Sequence, residues 1–264
     1  MSFCMEELFA VICNNDLPCA KREEDLFGFV QENTVLERQY VQSDIDLLSN
    51  YFSRSFNIAA FSEPAQKIFE LSPNVFDLIF HAWMSELPIE TEIIAFGRIA
   101  LAAAQACGEQ KRKAAENAAS DRGNESVRVV LAAVSKAQFE VHRMRGLLRF
   151  SPDSNGTYAA FCEPDHLILP ALGEYFSSRF GETPWVIVDV KRRLCLSRRL
   201  GEKVKLIAIK TAEDISASGG VFCNDEWEEL WRHYHRTVNN ESRKNLRLQR
   251  QLMPKRYWKY LPEM

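Results

Sequence analysis

Apolar positions in the first half of the chain recur mainly at helical spacing. Phe3, Leu8, Phe9 and Ile12 share one face and predict a helix over 3–13, and the polar, acidic segment after Pro18 predicts a connection. A short strand is expected around Val35–Val41, followed by a helix capped by Ser43-Asp44 and carrying Ile45, Leu48, Tyr51 and Phe52. Ser62 before Pro64 and Ser72 before Pro73 predict helix starts, because proline suits a first turn that needs no hydrogen-bonded N–H. These helices should cover 64–71 and 74–86. Ile93, Ile94, Phe96, Ile99 and Leu101 predict another over 90–106, closed by Gly108. Residues 108–125 contain no large apolar residue, so they are expected to form an exposed connection and mark a boundary.

Beyond that boundary the period changes. Ser126 is the expected cap of a long helix with Val127, Val130, Leu131, Val134 and Val141 inward, ending at Gly146. Strands follow near 147–151 and 157–162, joined through Asp153-Ser154-Asn155-Gly156, and a helix runs from Pro164-Asp165-His166 to Phe180. Residues 185–190, 194–197 and 204–209 complete a small antiparallel sheet. Asn224, Asp225 and Glu228 form a helix start of the capping-box kind, with Trp227, Leu230, Trp231, Tyr234 and Val238 as its buried stripe. A last helix is expected over 243–252. The fold class is therefore α+β: a helical region over 1–107, a connection over 108–125 and an α+β module over 126–264.

Charge sharpens this division. Residues 1–141 hold 12 Lys+Arg against 21 Asp+Glu, whereas residues 142–264 hold 21 against 15. A basic second half is what a polyanion-binding module would show, and two complementary surfaces within one chain would show it too. No apolar run is long enough to cross a bilayer and no secretory leader pattern is present, so the expected location is the cytoplasm. Seven cysteines without a CxxC pair fit reduced, mostly buried thiols; Cys13 and Cys19 lack the companions a metal site needs. No metal or cofactor is assigned, and no nucleotide-binding, zinc-hydrolase or serine-hydrolase motif occurs.

The candidate chemistry lies in the basic half. Arg243, Arg247 and Arg250 stand at offsets i, i+4 and i+7, a cationic stripe on one helical face, and Asn245 and Gln249 form an amide pair on a neighbouring face. Those amides suit a base edge or a backbone group equally. Lys255, Arg256, Tyr257, Trp258 and Lys259 interleave cations with aromatics, a pattern that pairs phosphates and stacks bases, or folds its rings onto the core. His142, Arg145 and Arg149 can converge on one anion, although the first two also suit a helix C-terminus. Asp165 and His166 read as an acid–base pair or as a helix cap. Asp189 with Arg192 reads as a turn-stabilising ion pair or as a group facing a cleft. His233 and His235, about 200° apart on a helix, do not chelate one ion easily.

The segments HRMRGLLRF, PDH, PWVIVDVKRR and RKNLRLQRQLMPKRYWKYL resemble a family of uncharacterised proteins, a domain of unknown function described as acting in DNA metabolism or DNA repair. The resemblance is strong over 137–264 and weak over the rest, and its most specific part is the closing R-x-N-x-x-x-Q-x-x-x-x-P-x-R-Y-W. It implies processing of damaged nucleic acid, because such proteins are encoded beside a radical SAM DNA-modification or repair protein and are sometimes fused to a uracil-DNA-glycosylase-like domain. On this basis a DNA-binding accessory to that enzyme is the first expectation. An enzyme using His142, His166 and Asp189, or a protein–protein adaptor without DNA contact, is the alternative.

Overall fold

The computed structural model of the chain describes residues 4–14, 42–52, 56–153, 156–209 and 226–263. The expected strand at 35–41, Cys19 and the cap at Asn224-Asp225 lie outside the described residues. The chain divides into two compact units, residues 1–47 with 57–138 and residues 48–56 with 139–264.

The first unit is helical. It contains α1 (Met5–Cys13), the start of α2 (Gln42–Tyr51), α3 (Glu63–Leu71), α4 (Pro73–Met84), α5 (Glu90–Ala106), α6 (Lys111–Ser120) and the first part of α7 (Glu125–Leu147). Ser72 caps α4 through its hydroxyl, which accepts from the Val75 N–H at 3.3 Å. Phe76 is the centre of the core: Phe9 stacks on it at 5.1 Å between ring centroids, and Phe61 and Phe69 meet it edge-on at 5.5 Å. Gly97 brings α5 against α1, since a Cβ there would stand 2.7 Å from an Ile12 methyl. Arg98 then donates to the carbonyls of Val11 and Asn14 at 2.9 and 3.1 Å, closing the end of α1.

Two expectations are corrected here. Residues 108–125 are not simply an exposed connection: Lys111–Ser120 forms α6, whose Ala115 and Ala119 are buried. Alanine lets helix backbones approach closely, so this packing needs none of the large apolar residues that mark a core in sequence. The cap of α7 is Asn124, which accepts from the Val127 N–H at 3.3 Å, and not Ser126.

The second unit carries a five-stranded sheet in the order β1 (Ser151–Pro152), β2 (Tyr158–Cys162), β3 (Trp185–Asp189), β4 (Leu194–Arg198), β5 (Lys205–Ala208). Three neighbouring pairs are antiparallel, as expected, whereas β2 and β3 run parallel with Ala160 opposite Ile187. The reason is the connection over 163–184, which holds α8 (Gly173–Phe180) and returns the chain to start β3 in the same direction. Every residue of β3 is buried, and its first four, Trp185–Val188, are the continuous apolar run of a strand covered on both faces. Phe176 and Phe180 of α8 pack near Trp185, and Phe150 joins them at 5.0 and 4.7 Å. The expected strand at 147–151 shrinks to two residues, because Leu147 ends α7, the Leu148 N–H caps it by donating to the Met144 carbonyl at 3.1 Å, and both side chains are buried.

After β5 come α9 (Glu226–Val238), α10 (Leu246–Leu252) and a 3-10 turn over Lys255–Tyr260. Of the stripe expected to be buried on α9, Leu230, Trp231, Tyr234 and Val238 are exposed, each 40% or more accessible, and the Trp227 side chain lies outside the described residues. Helical periodicity identifies an apolar face and says nothing of what covers it. No helix among the described residues is long and apolar enough to cross a membrane.

Candidate nucleic-acid interface

Ala133, Ala137, Glu140 and Met144 occupy one buried row of α7, so a carboxylate interrupts an apolar stripe. Burying an ionised carboxylate is expensive unless donors surround it. Glu140, 3% exposed, is surrounded within the second unit. Its Oε1 accepts from the Asp165 N–H at 2.9 Å and from the Tyr257 hydroxyl, and its Oε2 accepts from the His166 N–H at 2.8 Å. Arg256 adds a guanidinium 3.9 Å away. Burial, reinforced by this hydrogen bond to a carboxylate, pushes the Tyr257 phenol well above its ordinary pKa, so the hydroxyl remains a donor.

The segment Glu163–His166 is gripped from several other directions. Arg192 donates to the Pro164 carbonyl at 2.9 Å and the Asp165 carbonyl at 2.8 Å, while its remaining reach is used on Asp189 at 2.8 Å. Asp189 has no exposed surface and also accepts from the Arg192 N–H at 3.1 Å. Arg256 pairs with the Asp165 carboxylate. Lys259 and Tyr260 donate to Glu163 at 2.6 and 2.8 Å, and farther along Glu263 receives Arg149 at 2.5 Å and the Trp231 indole N–H at 3.2 Å.

These contacts sort the expected site residues. Arg149, Arg192, Arg256 and Tyr257 are engaged in holding the module together. Trp258 is half-buried and donates its indole N–H to the Met253 carbonyl at 2.8 Å. Asn245 is the N-cap of α10, accepting from the Leu248 N–H at 3.0 Å, and Gln249 follows one turn later. The cap places Arg243 in the preceding 3-10 turn, Glu241–Arg243, so the three-arginine helical stripe is corrected to Arg247 and Arg250 on α10 with Arg243 ahead of it. All three are exposed and have no carboxylate partner among the described residues.

His142, Arg145 and Arg149 do not form one anion site. His142 is exposed, Arg145 lies over the Tyr175 ring at 5.2 Å, and Arg149 is paired with Glu263. Asp189 is withdrawn from any cleft by Arg192, and the Asp165 and His166 amides bind Glu140. No group of three or more metal-ligating side chains occurs among the described residues. Of the thiols, Cys162 and Cys195 are buried and Cys107 is exposed. Burial, with Asp189 nearby, raises the Cys162 thiol well above its ordinary pKa.

The family described as a domain of unknown function, DUF4130, matches residues 99–263. The chain belongs to the DUF4130 family. The DUF4130 match starts inside α5 and takes in α6, α7, the whole sheet and the tail, including every residue of the Glu140 and Glu163 networks. No curated protein and no solved structure matches the chain.

The carboxylates at the centre of this DUF4130 network, Glu140, Glu163 and Glu263, were not among the residues singled out from sequence. The readable signal was Glu140 on an apolar helical stripe. Glu140→Ala should cost about 3–5 kcal/mol, because two amides and a hydroxyl lose their acceptor, whereas Tyr257→Phe should cost about 1–3 kcal/mol. Denaturant unfolding of both variants checks the order.

Acid tests the rim of the same network. Lys259, then Tyr260, hold the Glu163 carboxyl below its ordinary pKa; burial would raise Glu263, but Arg149 and Trp231 outweigh it and lower it too. Depressed carboxyls contribute stability above their unfolded values, near pH ~4.3, and lose it as pH falls through the folded values. Proteolysis of the C-terminal segment should therefore accelerate on acidification through and below that range, and Glu163→Gln with Glu263→Gln should flatten the response.

Proposed function

We propose that the protein binds nucleic acid through the basic C-terminal part of its second unit, as an accessory in DNA repair or DNA metabolism. Its partner enzyme would be the radical SAM DNA-modification or repair protein that the sequence resemblance implies. One observation carries the reading: of the arginines in the sequence motifs, Arg243, Arg247 and Arg250 cluster in one tail segment, exposed and without a carboxylate partner among the described residues, while Arg149, Arg192 and Arg256 are held by carboxylates. Cations committed to internal ion pairs already have their counter-charge, whereas the free ones can exchange water and counterions for phosphates. Residues 242–262 hold seven Lys and Arg and no Asp or Glu, a run of one charge sign.

The enzymatic alternative is weakened by Asp189, whose carboxylate is buried against Arg192. The adaptor alternative draws on the exposed apolar side chains of α9 and α10, among them Leu230, Val238 and Leu248. Titration of labelled damaged and undamaged oligonucleotides with rising salt separates the readings. Binding should weaken with a log–log slope of roughly −0.7 to −0.9 for each phosphate contacted, and Arg243→Glu, Arg247→Glu and Arg250→Glu together should abolish it without altering the circular dichroism spectrum. Absent or salt-insensitive binding contradicts the proposal, and a shortened or base-free product by mass points to the enzyme.

A further inference from the structure

Trp231 and Tyr234 lie three residues apart on α9, with ring centroids 5.8 Å apart and planes inclined by 31°. Their side chains are not in the core: Trp231 is 40% and Tyr234 54% exposed. Large aromatic rings left in water are an unfavourable surface unless something uses them. Trp231 is also held in place. Its indole N–H is satisfied by Glu263, which simultaneously pairs with Arg149, and the Arg149 guanidinium sits 5.7 Å from the indole centroid. Arg232, the next residue, donates to the Pro262 carbonyl at 3.1 Å and fixes α9 against the end of the chain. The polar edge of the indole is thus engaged while part of its surface stays open.

We infer that Trp231 and Tyr234 form a stacking platform for the bases of a single-stranded nucleic acid, whose phosphates are met by the free cations of the adjoining segment. The inference rests on the nucleic-acid reading above and narrows it to unpaired strands. Two features select this occupant over an apolar protein surface. First, the segment that follows α9 is cationic without a single carboxylate from Ser242 to Pro262, and Arg247 and Arg250 stand one turn apart on α10, a charge complement for phosphates. Second, the exposed side chains include two neighbouring aromatic rings, on which unpaired bases can stack in any sequence; in a duplex the base faces are already stacked on one another. Glu263 then has a positioning role, holding Trp231 and Arg149 without touching the strand.

The test compares a labelled thymidine strand of about 20 nucleotides with a duplex of the same length, on the full chain at fixed salt. The single strand should bind at least about tenfold more tightly. Trp231→Ala with Tyr234→Ala should weaken single-strand binding by about 10- to 100-fold and change duplex binding by less than about twofold, while Trp231→Phe retains most of the affinity. Duplex affinity doubles as the control that the variants fold. Equal affinity for strand and duplex, or single-strand binding that survives loss of both rings, overturns the platform and leaves the nucleic-acid reading standing. Binding of neither probe overturns both.

Discussion

A buried carboxylate can persist in a protein interior only if enough donors replace the water it has lost, and in the second unit that condition falls on Glu140. Two backbone amides, a phenol and a nearby guanidinium meet it. The donors come from distant parts of the sequence: α7 supplies the acceptor, the loop after β2 supplies the amides of Asp165 and His166, and the C-terminal 3-10 turn supplies Tyr257 and Arg256. One side chain therefore ties a helix, the entrance to the parallel crossover and the end of the chain. Removing it would take the acceptor from two part-buried amides and a buried phenol at once, which is why its loss should cost more than loss of any single donor.

The loop Glu163–His166 shows how much depends on that constraint. Glu140 takes its N–H groups, Arg192 takes its carbonyls, Arg256 takes the Asp165 carboxylate, and Lys259 and Tyr260 take Glu163. Polar groups that looked like acid–base chemistry or phosphate contacts in the sequence are thereby used internally. Among the described residues, Arg243, Arg247 and Arg250 are cations that this internal network does not use, and with the exposed rings of α9 they retain capacity for a ligand. A fold that fixes its own tail with ion pairs also defines which of its charges remain available outside.

Much of the architecture was legible because periodicity and caps are local. The helices at 63–71, 73–84 and 90–106 follow from Ser-Pro starts and apolar spacing, and β3 follows from the apolar run Trp185–Val188. What was not legible is non-local or depends on small side chains. The α6 helix buries alanines, which look like a loop to any reading that counts large residues. The parallel β2–β3 pair depends on where residues 163–184 carry the chain, and strand periodicity is the same for both directions. In the site, the motif residues Arg149 and Tyr257 stood out, but their partners Glu263 and Glu140 are 114 and 117 residues away and share no pattern with them. The charge stripe over Arg243, Arg247 and Arg250 assumed an unbroken helix, and Asn245, a residue already picked out, is the cap that interrupts it.

Amide hydrogen exchange on the intact chain addresses Glu140 directly, because the Asp165 and His166 N–H groups are its ligands and lie outside any helix or strand ladder. In the unmodified protein both amides should exchange slowly, at rates comparable with the β3 amides, and in Glu140→Ala both should become fast while β3 stays protected. Fast exchange at Asp165 and His166 in the unmodified protein, or unchanged protection after removal of Glu140, would contradict the role of this carboxylate as the tie that holds the module together.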